Sequence, residues 1–161
     1  MPEVFMCMKC FEIYKPLYIK KNKITYCPKV KCFGDVVEID ELFVLPIRIL
    51  NQKGYKTKYC CSGHMIDEYI NSYISFDDNV INLPSLPKGF YLDDNDYLSK
   101  QNINKTNITI RRDFNSYFSG DYLNNVQVWS KLDKSESEIY KDLLQGSVDI
   151  LDWANSLPEL K

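Results

Sequence analysis

The chain carries a single histidine, His64, in 161 residues. A metal site built on several imidazoles is therefore excluded. Neither sign of charge dominates: 20 Lys and Arg stand against 22 Asp and Glu, a net charge of -2. That balance excludes nucleic-acid binding by bulk charge alone. No apolar run approaches the ~20 residues of a membrane span. The longest, Leu42 to Leu50, is interrupted by Pro46 and Arg48. No positively charged start leads into an apolar stretch, so a secretory signal is not expected and a cytoplasmic location is. Glycine and proline are sparse, at six and seven, and no repeat is visible. With 45% hydrophobic and 26% charged residues, the composition is that of a globular chain and excludes collagen, coiled coil and wholesale disorder. The length suits one domain, or one domain with a small appendage.

What the chain does have is six cysteines. Cys7 and Cys10 form a C-x2-C pair, and Cys27 and Cys32 a looser C-x4-C pair after sixteen intervening residues. Two such pairs supply four thiolates to a tetrahedral ion, and a four-thiolate site holds Zn2+ as a structural staple with no open coordination position. The alternative is a set of buried thiols. Disulfides are disfavoured without a secretory signal. Phe11–Ile19 and Lys23–Tyr26 are expected as two strands about a Lys20-Lys21-Asn22 turn, making residues 1–34 a zinc ribbon too small to fold without its metal.

Residues 35–161 are expected to form an α+β domain. Asp35–Ile39 reads as extended, Asp40 as an N-cap, and Leu42, Phe43, Leu45, Ile49 and Leu50 as the apolar spacing of a helix. Pro46 either kinks that helix or sits in its first turn, and Gly54 ends it. Tyr55 to Cys61 alternates as a strand, with Tyr55, Thr57, Tyr59 and Cys61 on one face. Further strands are expected over Tyr69–Phe76 and Asn107–Arg112, continuing to Phe114–Phe118, with a weaker one at Val126–Trp129. Ser135 and Glu138 frame a capping box for a last helix over about 135–157. Its apolar face is read as Ile139, Tyr140, Leu143, Leu144, Val148, Leu151 and Ala154, with Pro158 as the stop. The fold class is thus α+β, a small mixed or antiparallel sheet with two main helices and an N-terminal four-cysteine zinc ribbon.

Chemistry concentrates at Cys60-Cys61-Ser62-Gly63-His64. Gly63 permits a tight bend whose successive amides form a nest for an anion. Ser62 adds a hydroxyl and His64 an imidazole. Arg111 or Arg112, on a neighbouring strand, could complete the clamp, with Arg111 preferred. The plainer alternative is an ordinary strand-to-loop turn with surface arginines.

Ile39-Asp40, Leu50-Asn51, Gly54-Tyr55-Lys56-Thr57 and Cys61-Ser62-Gly63 together resemble the helix–strand–loop signature of the third tRNA wybutosine-synthesising protein family, over Ile39 to Met65. The resemblance implies an α+β fold with its ligand at the Cys-Ser-Gly loop, and methyl transfer from S-adenosylmethionine to a tRNA guanosine. His64 stands where that family carries an arginine. The overall build is also similar to small proteins of low-GC bacteria and their phages. Three functions follow as expectations. The first is a binding module that holds a nucleotide or other small phosphorylated ligand between Cys61, Ser62, Gly63, His64 and Arg111 or Arg112, as a phage-type antagonist that sequesters a nucleotide signal would. The second is an S-adenosylmethionine-dependent RNA methyltransferase. The third is a zinc-ribbon protein that binds nucleic acid. For the third, residues 1–59 hold eleven Lys and Arg against six acids, interleaved with Phe11, Tyr14, Tyr18, Tyr26 and Phe33.

Overall fold

The computed structural model describes residues 3–63, 71–93, 108–113, 118–123, 126–131 and 135–160. The fold is α+β, with antiparallel sheets and three helices among the described residues. Strand β1 (Glu3–Cys7) lies between β2 (Ile13–Tyr14) and β3 (Val36–Asp40). Helix α1 (Pro16–Lys21) follows β2. A 3-10 turn at Glu41–Phe43 leads into α2 (Val44–Gln52). The second sheet has the order β4 (Thr57–Cys61), β5 (Asn71–Phe76), β7 (Thr109–Asp113), β6 (Tyr91–Leu92). A backbone hairpin, β8 (Phe118–Leu123) with β9 (Val126–Lys131), precedes the long α3 (Glu136–Ser156). No described helix is long and apolar enough to cross a membrane.

The expected ribbon hairpin is corrected by α1. Pro16 sits at the head of that helix, where its missing amide costs nothing and its fixed φ suits the first turn. Of Phe11–Ile19 only Ile13 and Tyr14 lie in a strand, and of Lys23–Tyr26 only Tyr26 pairs, as an isolated bridge to Asp35. Asn22 closes α1 by donating its side-chain amide to the Tyr18 carbonyl at 2.8 Å. Hydrogen bonding also crosses the expected boundary after Gly34: β1 pairs with β3 from Glu3↔Asp40 to Cys7↔Val36. Met6, fully buried on β1, belongs to the main core with Ile39, Phe43, Ile47 and Leu50.

The Asp40 carboxylate caps the 3-10 turn, accepting from the Leu42 amide at 3.2 Å. Since α2 starts at Val44, Pro46 lies in its first turn and introduces no kink. Gly54, at φ +95°, ends the segment, and a Cβ there would stand 3.0 Å from the Leu160 carbonyl oxygen. The alternation expected along β4 is interrupted, because the register slips between Thr57 and Tyr59. This bulge separates buried Tyr55 from exposed Tyr59.

Helix α3 closes the core. Ser135 accepts from the Glu138 amide at 3.3 Å, as the capping box requires. The buried face of α3 is Ile139, Leu143, Ile150, Trp153 and Ala154. Tyr140, Leu144 and Val148, read from the sequence as part of that face, are instead each about two-fifths exposed. Trp153 meets Phe76 edge-on with ring centres 6.5 Å apart and donates to the Ser85 hydroxyl at 2.9 Å. Just after α2, the Lys53 ammonium donates to the carbonyls of Ala154, Asn155 and Leu157 at 2.6–2.9 Å. A cation there satisfies free carbonyls and opposes the negative end of the α3 dipole.

Candidate metal centre

Cys7 ends β1, Cys10 closes the turn after it, and Cys27 and Cys32 lie in the loop between α1 and β3. Their sulfur atoms all lie within 4.8 Å of one another. Cys7 and Cys32 are 3.6 Å apart, and Cys10 and Cys27 are 3.7 Å apart. Four thiolates bound tetrahedrally at ~2.3 Å would be separated by ~3.8 Å. The spacing therefore fits one metal ion at the centre, far better than it fits covalent sulfur–sulfur bonds.

The backbone is shaped around these sulfurs. The amides of Lys9 and Cys10 point at Cys7 Sγ, at 3.3 and 3.4 Å. Such donors stabilise thiolate charge. Gly34 passes so close that a Cβ would stand 2.5 Å from Cys7 Sγ and 2.6 Å from Lys9 Cβ. The residue after each pair, Phe11 and Phe33, has a left-handed backbone, with φ of 63° and 54°.

Protonation is uneven. Burial pushes the Cys10 thiol up to about 12, reinforced by the neighbouring cysteines. Burial also opposes charge on Cys27, but the Tyr14 hydroxyl and the Lys29 backbone outweigh it and hold that thiol down at about 7. Tyr14 Oη lies 3.1 Å from Cys27 Sγ, and its own proton is held more tightly as the donor in that bond. Of these two thiols Cys27 gives up its proton the more readily, and a cation must displace the proton of Cys10. Tyr14→Phe is expected to weaken metal retention ~10-fold, as loss of an outer-sphere donor does. Competition with a chromophoric chelator measures it, and equal retention by both proteins would show the hydroxyl to be idle.

The second candidate cluster is arranged differently. Gly63 takes the expected left-handed backbone at φ 110°. Ser62 is fully buried, and its amide donates to Asp40 Oδ2 at 3.1 Å. Its hydroxyl donates to the same oxygen. Ser72 Oγ donates to the Ser62 carbonyl at 2.6 Å. Both Ser62 donors thus meet a carboxylate of the chain itself. Cys61, Tyr73, Arg111 and Tyr91 form one cross-strand row, while Arg112 belongs to the neighbouring row with Ser72. Adjacent residues of a strand face opposite ways, so Arg111 is the arginine on the face of Cys61. The Arg111 guanidinium lies over the Tyr73 ring, 5.1 Å from its centre. It donates to Asp93 at 2.7 Å and to Asn71 at 2.5 Å. Arg112 lies 3.6 Å from Asp149. His64 lies outside the described residues. Cys60 is held protonated by burial, its thiol pushed up to about 12 by desolvation and the Asp40 charge, which is unsuited to nucleophilic work.

Tyr14 and Gly34 join the centre without standing out as site residues in the sequence. A glycine two residues after the last cysteine of the cluster is the signal that could have marked Gly34. Comparison with protein-family models, curated proteins and solved structures finds no match.

Proposed function

We propose that this is a zinc-stapled nucleic-acid-binding protein whose contact surface is the four-cysteine knuckle. An all-thiolate donor set at tetrahedral spacing suits Zn2+, and its closed coordination suits a structural task. The observation that carries the functional reading is the exposure of the knuckle's aromatic side chains. Phe33 is 77% exposed and Tyr26 61%, whereas Tyr18, 46% exposed, stacks on the Tyr14 ring. Aromatics needed only to cover a metal site would be packed over it. Lys9, Lys15, Lys20, Lys21, Lys23, Lys29 and Lys31 are exposed on the same block. Interleaved cations and open rings are what phosphates and unpaired bases take up.

The test is the salt dependence of binding to a labelled oligonucleotide. The logarithm of the affinity is expected to fall linearly with log salt. Neutralising Lys20, Lys21 and Lys29 to Gln should flatten the slope by roughly 0.7–0.9 for each phosphate that is no longer neutralised. An unchanged slope in the triple variant would remove the knuckle as the contact surface.

A further inference from the structure

The two cysteine pairs end alike: Cys10 is followed by Phe11 and Cys32 by Phe33, each with φ near +60°. A side chain in this left-handed region is sterically disfavoured, a penalty that glycine avoids. Phe11 has a compensation inside the chain, since its ring is partly buried and packs against the main core. Phe33 has none of that kind, because its ring is 77% exposed. Glycine at position 33 would relieve the backbone and remove an apolar ring from water. Lys23 and Lys31 share this left-handed backbone, so the strain belongs to the cysteine loops, and what singles out Phe33 is a large apolar ring left in water beside a groove.

The ring borders a groove of about 540 Å3 between the knuckle and the start of β4. Sites for nucleotide-sized ligands run to ~300–1,000 Å3. Lys9 and Phe33 line one side, and Lys56 and Lys58 the other. All three lysines are exposed. Asp35 and Asp77 also line it, and their carboxylates can accept from base amino groups. We infer that this groove holds a single-stranded nucleic acid, with one base stacked on Phe33 and the adjoining phosphates met by Lys9, Lys56 and Lys58. A duplex keeps its bases stacked on each other and offers none to an open ring, so the groove selects single strands. The assignment rests on the nucleic-acid reading of the knuckle and specifies its ligand and the path that ligand takes.

Fluorescence anisotropy of the metal-loaded full chain tests it, with eight-nucleotide oligouridine, oligothymidine and a hairpin duplex as probes. Single strands of either sugar are expected to bind tighter than the duplex. Phe33→Gly should lose about tenfold or more in single-strand affinity while its thermal midpoint holds or rises and its metal is kept. Phe33→Leu, which keeps apolar bulk without a π-face, should lose most of the same affinity, and Phe33→Trp should retain it. If the Leu variant binds like the natural chain, or the duplex binds as tightly as the single strands, the stacking site is wrong. In that event a salt slope that still depends on Lys20, Lys21 and Lys29 would leave the broader reading standing. No binding of any probe by the natural chain overturns both.

Discussion

Stripping the metal with a chelator at neutral pH is expected to unfold the knuckle and to lower the thermal midpoint of the whole chain. Four thiolates brought within 4.8 Å of one another repel when ionised, and a bound cation would make the cluster favourable. The effect reaches further than a detachable ribbon would allow. Cys7 is the last residue of β1, and its neighbour Met6 is fully buried in the main core. The backbone bonds held together by the cluster are Cys7 to Glu12, Met8 to Asp35, Cys27 to Gly34 and Val36 to Thr25, at 2.8–3.1 Å. Hydrogen exchange should show the amides of Cys7, Met8, Cys27 and Val36 losing protection on chelation, while the interior of α2 and α3 keeps it. Acid should have the same effect, since protons compete with the metal for thiolates. Unchanged protection at those four amides would mean that the cysteines are ordinary core thiols.

The second large effect is expected at Asp40. One buried carboxylate accepts from Leu42 and from both donors of Ser62, which lies 22 residues away in sequence. It ties the start of the turn before α2 to the end of β4. Asp40→Ala leaves the buried Ser62 amide and hydroxyl without an acceptor and removes a cap, a combined loss of ~3 kcal/mol or more. Asp40→Asn keeps an acceptor oxygen and should cost ~1 kcal/mol. Denaturant titration of both variants measures the difference. A loss below ~1 kcal/mol in the alanine variant would show that Ser62 finds another partner with ease.

The parts of the molecule set by neighbouring residues were legible in the sequence. Asp40 and Ser135 cap as their positions suggest, Gly54 ends its segment with positive φ, and α3 stops before Pro158. The two cysteine pairs were legible because thiolate geometry constrains spacing directly. Where two signals competed, the stronger local one was easy to misjudge. The aromatic run from Phe11 to Ile19 looks extended, yet Pro16 starts a helix within it. On α3, Tyr140, Leu144 and Val148 form a row adjacent to Ile139 and Leu143, and apolar character alone does not say which row meets the core. The bulge in β4 and the Asp40–Ser62 pairing depend on residues brought together by the fold. For the same reason the bend at Ser62-Gly63 reads in sequence as an open anion nest, whereas a carboxylate of the chain engages both Ser62 donors.

The most direct measurement is native mass spectrometry of the full chain purified without chelator, paired with elemental analysis. One zinc per chain is predicted, with fewer protons than the metal-free chain by the number of thiols ionised, and with the metal lost from Cys10→Ser. A metal-free mass accompanied by four freely reactive thiols at Cys7, Cys10, Cys27 and Cys32 would contradict the account at its foundation.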